Sequence, residues 1–275
     1  MTRPSRVPFP WTLLLFWLRR TVFVWIAIAL AMFLMQIAIC GIVHDNQSVK
    51  AFLQVLDYFP SVVKIALGGK TLQVGNTPGL LAIGYQHPFL LFLLMLFAIG
   101  VPTGMLAGEV QRGTMELILS RPVKKLHVYI CAGLLTITGM FGLVMMMFLG
   151  TTAGTRIYEF IDPVPLDLFF RLAINGGLLA SAVGAVALLA ASFFRSRAIA
   201  VGVTAGFLLV NYFVSVLSQL WPRMYFLFRF TMFNYVSAPK LWRGWPLDDM
   251  GVLAAVMVIA ALAGAIIWQR RDLPL

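Results

Sequence analysis

Residues 88–108 read PFLLFLLMLFAIGVPTGMLAG, and the charged stretch EVQRGTMELILSRPV follows at residues 109–123. The first stretch contains no Asp, Glu, Lys or Arg and is as long as the roughly 20 residues that a helix needs to cross a bilayer. Backbone amides in hydrocarbon must find hydrogen-bond partners within their own segment, so the run predicts a membrane-spanning helix. The second stretch predicts a polar loop at one membrane surface.

Similar apolar runs recur along the whole chain. Hydrophobic residues make up 61% of the sequence and charged residues only 11%, against roughly 25% charged residues in soluble proteins. Short strands of alternating polarity, which are typical of membrane barrels, are absent. We therefore expect an all-α integral membrane protein with a single transmembrane domain over residues 1–275. Its six predicted spans are residues 21–43, 88–108, 127–152, 171–194, 198–220 and 250–269.

The Lys and Arg residues predict the orientation. An even number of spans places both termini on one side, and short cytoplasmic segments carry an excess of positive charge. The basic residues in short segments fall on the side of the termini, so we expect cytoplasmic termini in the cell (inner) membrane. Residues 44–87 and 221–249 are then extracytoplasmic. The basic residues on the predicted cytoplasmic side are Arg3, Arg6, Arg19, Arg20, Arg112, Arg121, Lys124, Lys125, Arg195, Arg197, Arg270 and Arg271.

The net charge of +11 does not indicate a nucleic-acid partner. The basic residues flank the spans, where they set topology and contact anionic membrane lipid. Cys40 and Cys131 lie within apolar runs and have no His or Cys nearby at ligand spacing. They indicate buried small side chains, and no metal site is expected.

Three segments outside the spans have recognisable patterns. Residues 8–20 place apolar side chains near one helical face and end in two arginines, which fits a helix lying in the membrane interface. A simple N-terminal extension of the first span fits equally well. Residues 49–67 have the apolar spacing of a helix on the outer surface. Residues 221–249 are aromatic and basic, which indicates an interfacial or re-entrant segment.

Glycine recurs at every fourth position in three spans, and this spacing predicts close approach between helices. The glycines concerned are Gly100, Gly104 and Gly108, then Gly150 and Gly154, and finally Gly202 and Gly206.

A short helix of about two turns is predicted in the loop after the second span. Thr114 fits its N-cap, Glu116 fits its first turn, and Pro122 prevents it from continuing far. The helix would be amphipathic, and a rod of this kind fits a groove on another protein. Its apolar face comprises Met115, Ile118 and Leu119, and its polar face comprises Glu116 and Ser120.

The loop pattern resembles that of a known family. The groups Gly108-Glu109, Arg112-Gly113-Thr114, Glu116-Leu117 and Ser120-Arg121-Pro122-Val123 are similar to the loop after the second span in permease subunits of the type-2 exporter superfamily of ABC transporters. The six-span plan, the chain length and an interfacial elbow helix within residues 1–20 also fit that family. The resemblance implies that residues 109–125 hold a coupling helix, which docks on a separate cytoplasmic ABC ATPase subunit.

The resemblance also implies roles for individual residues and for further partners. A smaller second contact with the ATPase would lie between the fourth and fifth spans, and a second copy or a homologous permease would complete a central route. A solvated connection without a partner is the alternative for the loop. The implied contact residues are Glu109, Arg112, Gly113, Thr114, Met115, Glu116, Ile118, Leu119, Pro122, Arg195 and Arg197.

The chain itself is not expected to bind ATP or to act as an enzyme. Gly69-Lys70-Thr71 is similar to the end of a P-loop, but Lys64 occupies the position where that motif needs its first glycine. No cofactor is expected in this chain, and ATP and Mg would belong to the partner ATPase. The His residues lie at or beyond span ends, so an intramembrane hydrolase has no base near its serines.

The expected function is that of a permease subunit for ATP-driven export of an unidentified substrate. Two alternatives stay open. A gradient-driven secondary transporter would need ionisable groups in the membrane, and Glu109 and Asp248, both at interfaces, are its strongest candidates. A membrane subunit could instead pass ATP-driven motion to an extracytoplasmic partner.

Polar residues in the first and fifth spans are candidates for a substrate path, because the resemblance implies that these spans border the cleft of a dimer. Hydrogen bonding between helices is the alternative role for such residues. The candidates are Gln36, Thr204, Asn211 and Ser215.

Overall fold

The computed structural model describes residues 9–45, 54–55, 58, 60, 77–160, 163–236, 238–242 and 244–272. Most of these residues are helical, and none of them lies in a strand. The predicted outer helix at residues 49–67 and the Gly69-Lys70-Thr71 segment lie almost wholly outside the described residues, as do Arg3 and Arg6. The described α-helices are α1 (Trp11–Val43), α2 (Thr77–Gln86), α3 (Pro88–Met105), α4 (Ala107–Gln111), α5 (Thr114–Leu119), α6 (Lys125–Ile157), α7 (Leu166–Phe193), α8 (Arg197–Leu220), α9 (Ala238–Trp242) and α10 (Leu247–Arg270).

Six segments of the described chain are helical, long and apolar enough to cross a membrane. The prediction of an all-α integral membrane protein with six spans is therefore confirmed. Most spans extend a few residues beyond their predicted limits, because charged residues at helix ends lie in the first or last turn. The spans are Trp11–Val43, Thr77–Met105, Lys125–Ile157, Leu166–Phe193, Arg197–Leu220 and Leu247–Arg270.

The second span begins earlier than the sequence indicates. Residues 77–87, which were expected in an outer loop, include helix α2, and its residues from Gly79 to Tyr85 are buried. The polar residues at its end, together with Pro88, had suggested a boundary there. The chain instead starts a new helix at once, and the His87 side chain accepts a hydrogen bond from the backbone N–H of Phe89 at 3.3 Å.

Helix α1 is continuous from Trp11 to Val43. Residues 11–20 therefore extend the first span and do not form a separate helix. This was one of the two interpretations that the sequence allowed for this segment. Trp17 is 1% exposed, so this extension packs against the bundle instead of lying apart from it.

Helix α7 forms the centre of the bundle. It packs against α3, α6, α8 and α10. In its most apolar 18-residue stretch, 72% of the residues are buried. The corresponding buried shares of α1, α8 and α10 are 28%, 22% and 17%. These three helices therefore present wide apolar faces, which in a membrane protein contact lipid or another membrane helix.

The glycine pairs differ in how closely helices approach them. A Cβ atom built on Gly150 would lie 2.6 Å from the Phe33 carbonyl oxygen, and one on Gly154 would lie 2.6 Å from the Cys40 Sγ. The predicted close approach is confirmed here, between α1 and α6. A Cβ on Gly202 or Gly206 would meet no atom within 4 Å, so the prediction is wrong for this pair within the chain.

Replacing Gly150 with Ala is expected to destabilise the bundle by about 1–3 kcal/mol, because the added methyl group must push α1 away from α6. Thermal unfolding in mild detergent measures the change. Gly251→Ala is the matched control, since a Cβ at this exposed position meets no atom within 4 Å. We expect the control to be neutral or slightly stabilising, because alanine favours helix over glycine. Equal stability of the two variants would contradict the close approach.

The aromatic segment after α8 folds against the ends of neighbouring helices. It forms two 3-10 helices, η1 (Pro222–Phe230) and η2 (Met232–Tyr235), and then α9. The Asn211 Oδ1 atom accepts a hydrogen bond from the Met232 N–H at 2.7 Å, and the Asn175 amide donates to the Tyr235 carbonyl at 3.3 Å. Polar side chains of α7 and α8 thus hold this segment in place.

At the end of the bundle opposite η1 and η2, residues at the end of α10 contact the start of α6 and the end of α7. The Trp268 indole N–H donates to the Lys125 carbonyl at 2.9 Å, and the Lys125 Nζ atom donates to the Arg271 carbonyl at 2.9 Å. The Arg271 guanidinium donates to the carbonyls of Ser192 at 3.0 Å and Phe194 at 3.2 Å. Burial and the nearby Arg195 lower the pKa of Arg271. The ends of α7 and α10 and the start of α6 therefore form one joined surface.

Candidate functional site

The candidate site is the loop between the second and third spans, which consists of α4, α5 and the residues up to Lys125. A sharp turn at Gly113 separates the two short helices, and its φ of 74° lies in the left-handed region. A side chain in this conformation costs roughly 1–2 kcal/mol, so glycine is favoured here. Gly113 also occupies the N-cap position of α5. The prediction of Thr114 as N-cap is therefore wrong, because Thr114 is already the first helical residue.

A buried carboxylate ties this loop to the first span. The Glu109 Oε1 atom accepts hydrogen bonds from the Arg20 Nη1 at 2.7 Å and from the Arg112 Nη2 at 2.6 Å. The Thr114 hydroxyl donates to the Glu109 Oε2 atom and to its backbone carbonyl. The Glu109 side chain is 5% exposed, while the two arginine side chains are 51% and 40% exposed. Residues of α1, α4 and α5 are thus joined through one side chain.

Helix α5 presents a different face to the surface than the one expected to bind a partner. Met115 is 2% exposed and belongs to the core, and Ile118 and Leu119 pack against that core. These three residues anchor the helix to the bundle. Glu109 likewise lies inside the protein. Met115 and Glu109, which were both predicted to couple the chain to a partner, are thus buried in the described chain.

The exposed face of α5 includes a residue that the sequence analysis left out. Leu117 is 70% exposed and lines a groove together with Ile118 and Arg121. A leucine among polar positions of a short amphipathic helix was the available signal. The other exposed residues on this surface are Arg112, Gly113, Glu116, Ser120, Arg121 and Pro122.

The second predicted contact, at residues 195–197, lies beside the loop. The Arg197 backbone N–H donates to the Gln111 Oε1 atom at 2.8 Å. Arg195 and Arg197 are both exposed. The residues of the two predicted contacts therefore share one surface, which we call the loop end of the bundle. It also includes the start of α1 and the end of α10.

The candidate residues for a substrate path are not brought together. Gln36 is fully buried, and its amide donates to the Leu81 carbonyl at 3.4 Å. Thr204 is buried and donates to the Ala200 carbonyl within its own helix at 2.8 Å. Asn211 holds η2, as described above, and Ser215 is 5% exposed. The side chains of Gln36, Thr204 and Asn211 make hydrogen bonds within the chain, which fits the alternative role of internal hydrogen bonding.

The sequence matches one family along most of its length. A model of the family described as ABC-2 family transporter protein matches residues 17–222. The chain belongs to the ABC-2 family. The matched part of this ABC-2 protein includes five of the six spans and the whole loop from Ala107 to Lys125. No curated protein matches the chain.

Family membership and the six apolar helices together define the class of the molecule. It is a multi-pass membrane protein and a permease subunit of an ABC transporter. Members of the ABC-2 family associate with ABC ATPase subunits, so such a partner follows from the family. The loop end of this ABC-2 subunit carries exposed charged side chains beside the short helix α5.

Proposed function

We propose that the chain is the permease subunit of an ATP-driven exporter and that its loop end docks on a cytoplasmic ATPase subunit. The observation that carries this proposal is the exposed face of α5. Leu117 is a large apolar residue that is 70% exposed. Glu116 precedes it in α5, and Arg121 lines the same groove. An apolar contact bordered by charged residues is typical of protein interfaces. Glu116 and Arg121 supply charges of both signs, which would fix the orientation of a partner.

A groove beside α5 supports the same docking surface. It has a volume of about 270 Å³ and lies between the start of α1 and the loop. Its position means that a partner contacting Leu117 would also meet the first span. Its lining residues are Pro10, Thr12, Leu13, Phe16, Leu117, Ile118, Arg121 and Val123.

The distribution of positive charge supports a cytoplasmic location for the loop end. Contacts described above bring Arg20, Arg112, Lys125, Arg197 and Arg271 to this one end of the bundle. Short segments rich in Lys and Arg remain in the cytoplasm. The start of α1 and the end of α10 would then lie on the cytoplasmic side as well.

The internal contacts suggest how motion would spread from the docking surface. A displacement of α5 acts on the core through Met115 and on α1 through Thr114, Glu109 and Arg20. ATP and Mg would be held by the ATPase subunits, whose closure would shift the loop. The apolar face of α8 would pair with a second permease copy and border the export route.

The acidic residues weigh against a gradient-driven transporter. Such a transporter needs an ionisable group that can change its protonation or ion occupancy within the membrane. Among the described acidic residues only Glu109 is buried, and two arginines bind it. Asp248, the other candidate, is exposed at the start of α10.

Purification from native membranes tests the proposed function. We expect the tagged full chain to co-purify with a P-loop ATPase and the complex to hydrolyse Mg-ATP in vesicles whether or not ionophores are present. The chain alone should not bind a fluorescent ATP analogue. Nucleotide binding by the isolated chain, or transport that stops with the ion gradient while ATP is present, would overturn the proposal.

A further inference from the structure

A cavity of about 310 Å³ lies at the loop end between α1, α3, α4 and α8. Its walls combine apolar side chains with charged ones. One part is apolar, and the other carries three guanidinium groups. The lining residues are Trp17, Arg20, Thr21, Val24, Leu96, Phe97, Gly100, Val101, Gly104, Met105, Glu109, Arg112 and Arg197.

The charged part of the cavity has an excess of positive charge. Arg20, Arg112 and Arg197 face a single carboxylate, that of Glu109. Glu109 takes one hydrogen bond from each of two arginines. Each guanidinium carries five N–H donors, and the hydrogen bonds within the described part of the chain engage one nitrogen of each. The arginines therefore retain donors for an anion.

Glycines of α3 and α4 lie next to the third arginine, Arg197. The Arg197 side chain lies along this surface, and a Cβ built on Gly104 would be 3.6 Å from its Cζ atom. A Cβ on Gly108 would be 3.5 Å from its Cδ atom. The glycine repeat that predicted helix packing thus accommodates an arginine side chain at these two positions.

The apolar part of the cavity reaches the lipid-facing surface. Val24 is 49% exposed and Leu96 is 45% exposed, so both contact hydrocarbon when the chain lies in a bilayer. An amphiphile entering from the side would place its acyl chain against these residues and its head group against the arginines. Guanidinium groups bind phosphate through paired hydrogen bonds, and basic pockets between membrane helices hold anionic head groups.

We infer that this cavity is a binding site for one anionic phospholipid of the adjoining leaflet, whose phosphate contacts Arg20, Arg112 and Arg197. The charge excess selects an anionic head group, and the open apolar wall selects a lipid over a free phosphate. The site depends on the chain being a membrane protein and does not depend on an ATPase partner.

Native mass spectrometry of the full chain in uncharged detergent tests this site. The probes are phosphatidylglycerol, phosphatidylcholine with the same acyl chains, and glycerol 3-phosphate. We expect one phosphatidylglycerol to bind at least about tenfold more tightly than phosphatidylcholine, because phosphatidylcholine has the same phosphate but adds a choline cation that the excess positive charge of the cavity repels. Glycerol 3-phosphate should not compete. Equal binding of the two lipids, or effective competition by glycerol 3-phosphate, would overturn the inference.

Two variants alter the cavity in different ways. Arg20→Gln with Arg197→Gln removes charge, and Gly100→Leu fills the space while keeping all three arginines. A Cβ on Gly100 meets no atom within 4 Å, so the second variant should fold. Both should lose the preference for phosphatidylglycerol.

The control for charge is Arg156→Gln with Arg223→Gln, which removes the same charge from exposed residues at the opposite end. It should bind phosphatidylglycerol like the unaltered chain. If Gly100→Leu folds and binds this lipid as the unaltered chain does, the cavity is not the site.

Discussion

Replacing Glu116 with Arg, or Leu117 with Asp, is expected to weaken ATPase docking by about 2 kcal/mol or more, which is roughly thirtyfold. ATP hydrolysis coupled to transport should fall with it. Leu117 is 70% exposed and would be buried only in the complex, so an introduced carboxylate would lose its hydration there. Reversal of the charge at Glu116 would set like charges against each other across the interface.

The fold should tolerate both substitutions, because exposed positions away from buried contacts usually change stability by less than about 0.5 kcal/mol. Binding of the purified chain to its ATPase and the hydrolysis rate of the complex are the measurements. Glu159→Arg makes the same charge change at an exposed residue of the opposite end and should leave both unchanged. Normal hydrolysis and transport by the Glu116→Arg complex would show that α5 is not the docking element.

The spans could be predicted from sequence because hydrocarbon imposes one strong condition on every residue of a crossing helix. Runs without charge mark such helices, and the structure confirms six of them. The first and last residues of the spans were predicted less accurately. Residues 77–87 looked like a loop, since a polar residue pair and a proline interrupt the apolar run, yet burial against neighbouring helices keeps Leu80 to Tyr85 inside the bundle.

The site was predicted less completely, because local spacing does not reveal which side of a short helix meets the bundle. The apolar face of α5 was predicted to bind a partner, whereas Met115, Ile118 and Leu119 pack against the bundle in the structure. Met115 anchors the helix in the core, and Leu117 is left at the surface. The contact between Arg20 and Glu109 joins residues 89 positions apart, and a pairing over that distance depends on the packing of α1 against α3.

Replacing Glu109 with Lys should have the largest effect on stability. The substitution removes the carboxylate that Arg20 and Arg112 share and places a third cation between them. Loss of one partner from a buried ion pair commonly costs about 3 kcal/mol or more. The two arginine side chains are about half exposed, so water can replace part of the hydrogen bonding that they lose. The new lysine, in contrast, would be buried among like charges. Unfolding of the purified chain in increasing denaturing detergent measures the change.

A charge exchange separates the ion pair from a general need for glutamate at this position. In the double variant Arg20→Glu with Glu109→Arg, a carboxylate again faces the guanidinium of residue 109, although Arg112 loses its acceptor. We expect this variant to recover part of the stability that Glu109→Lys loses and to be more stable than Arg20→Glu alone. Absence of any recovery would mean that the contact does not hold α1 to the loop. Coupling between docking and the first span would then have to pass through the core contacts of Met115 instead.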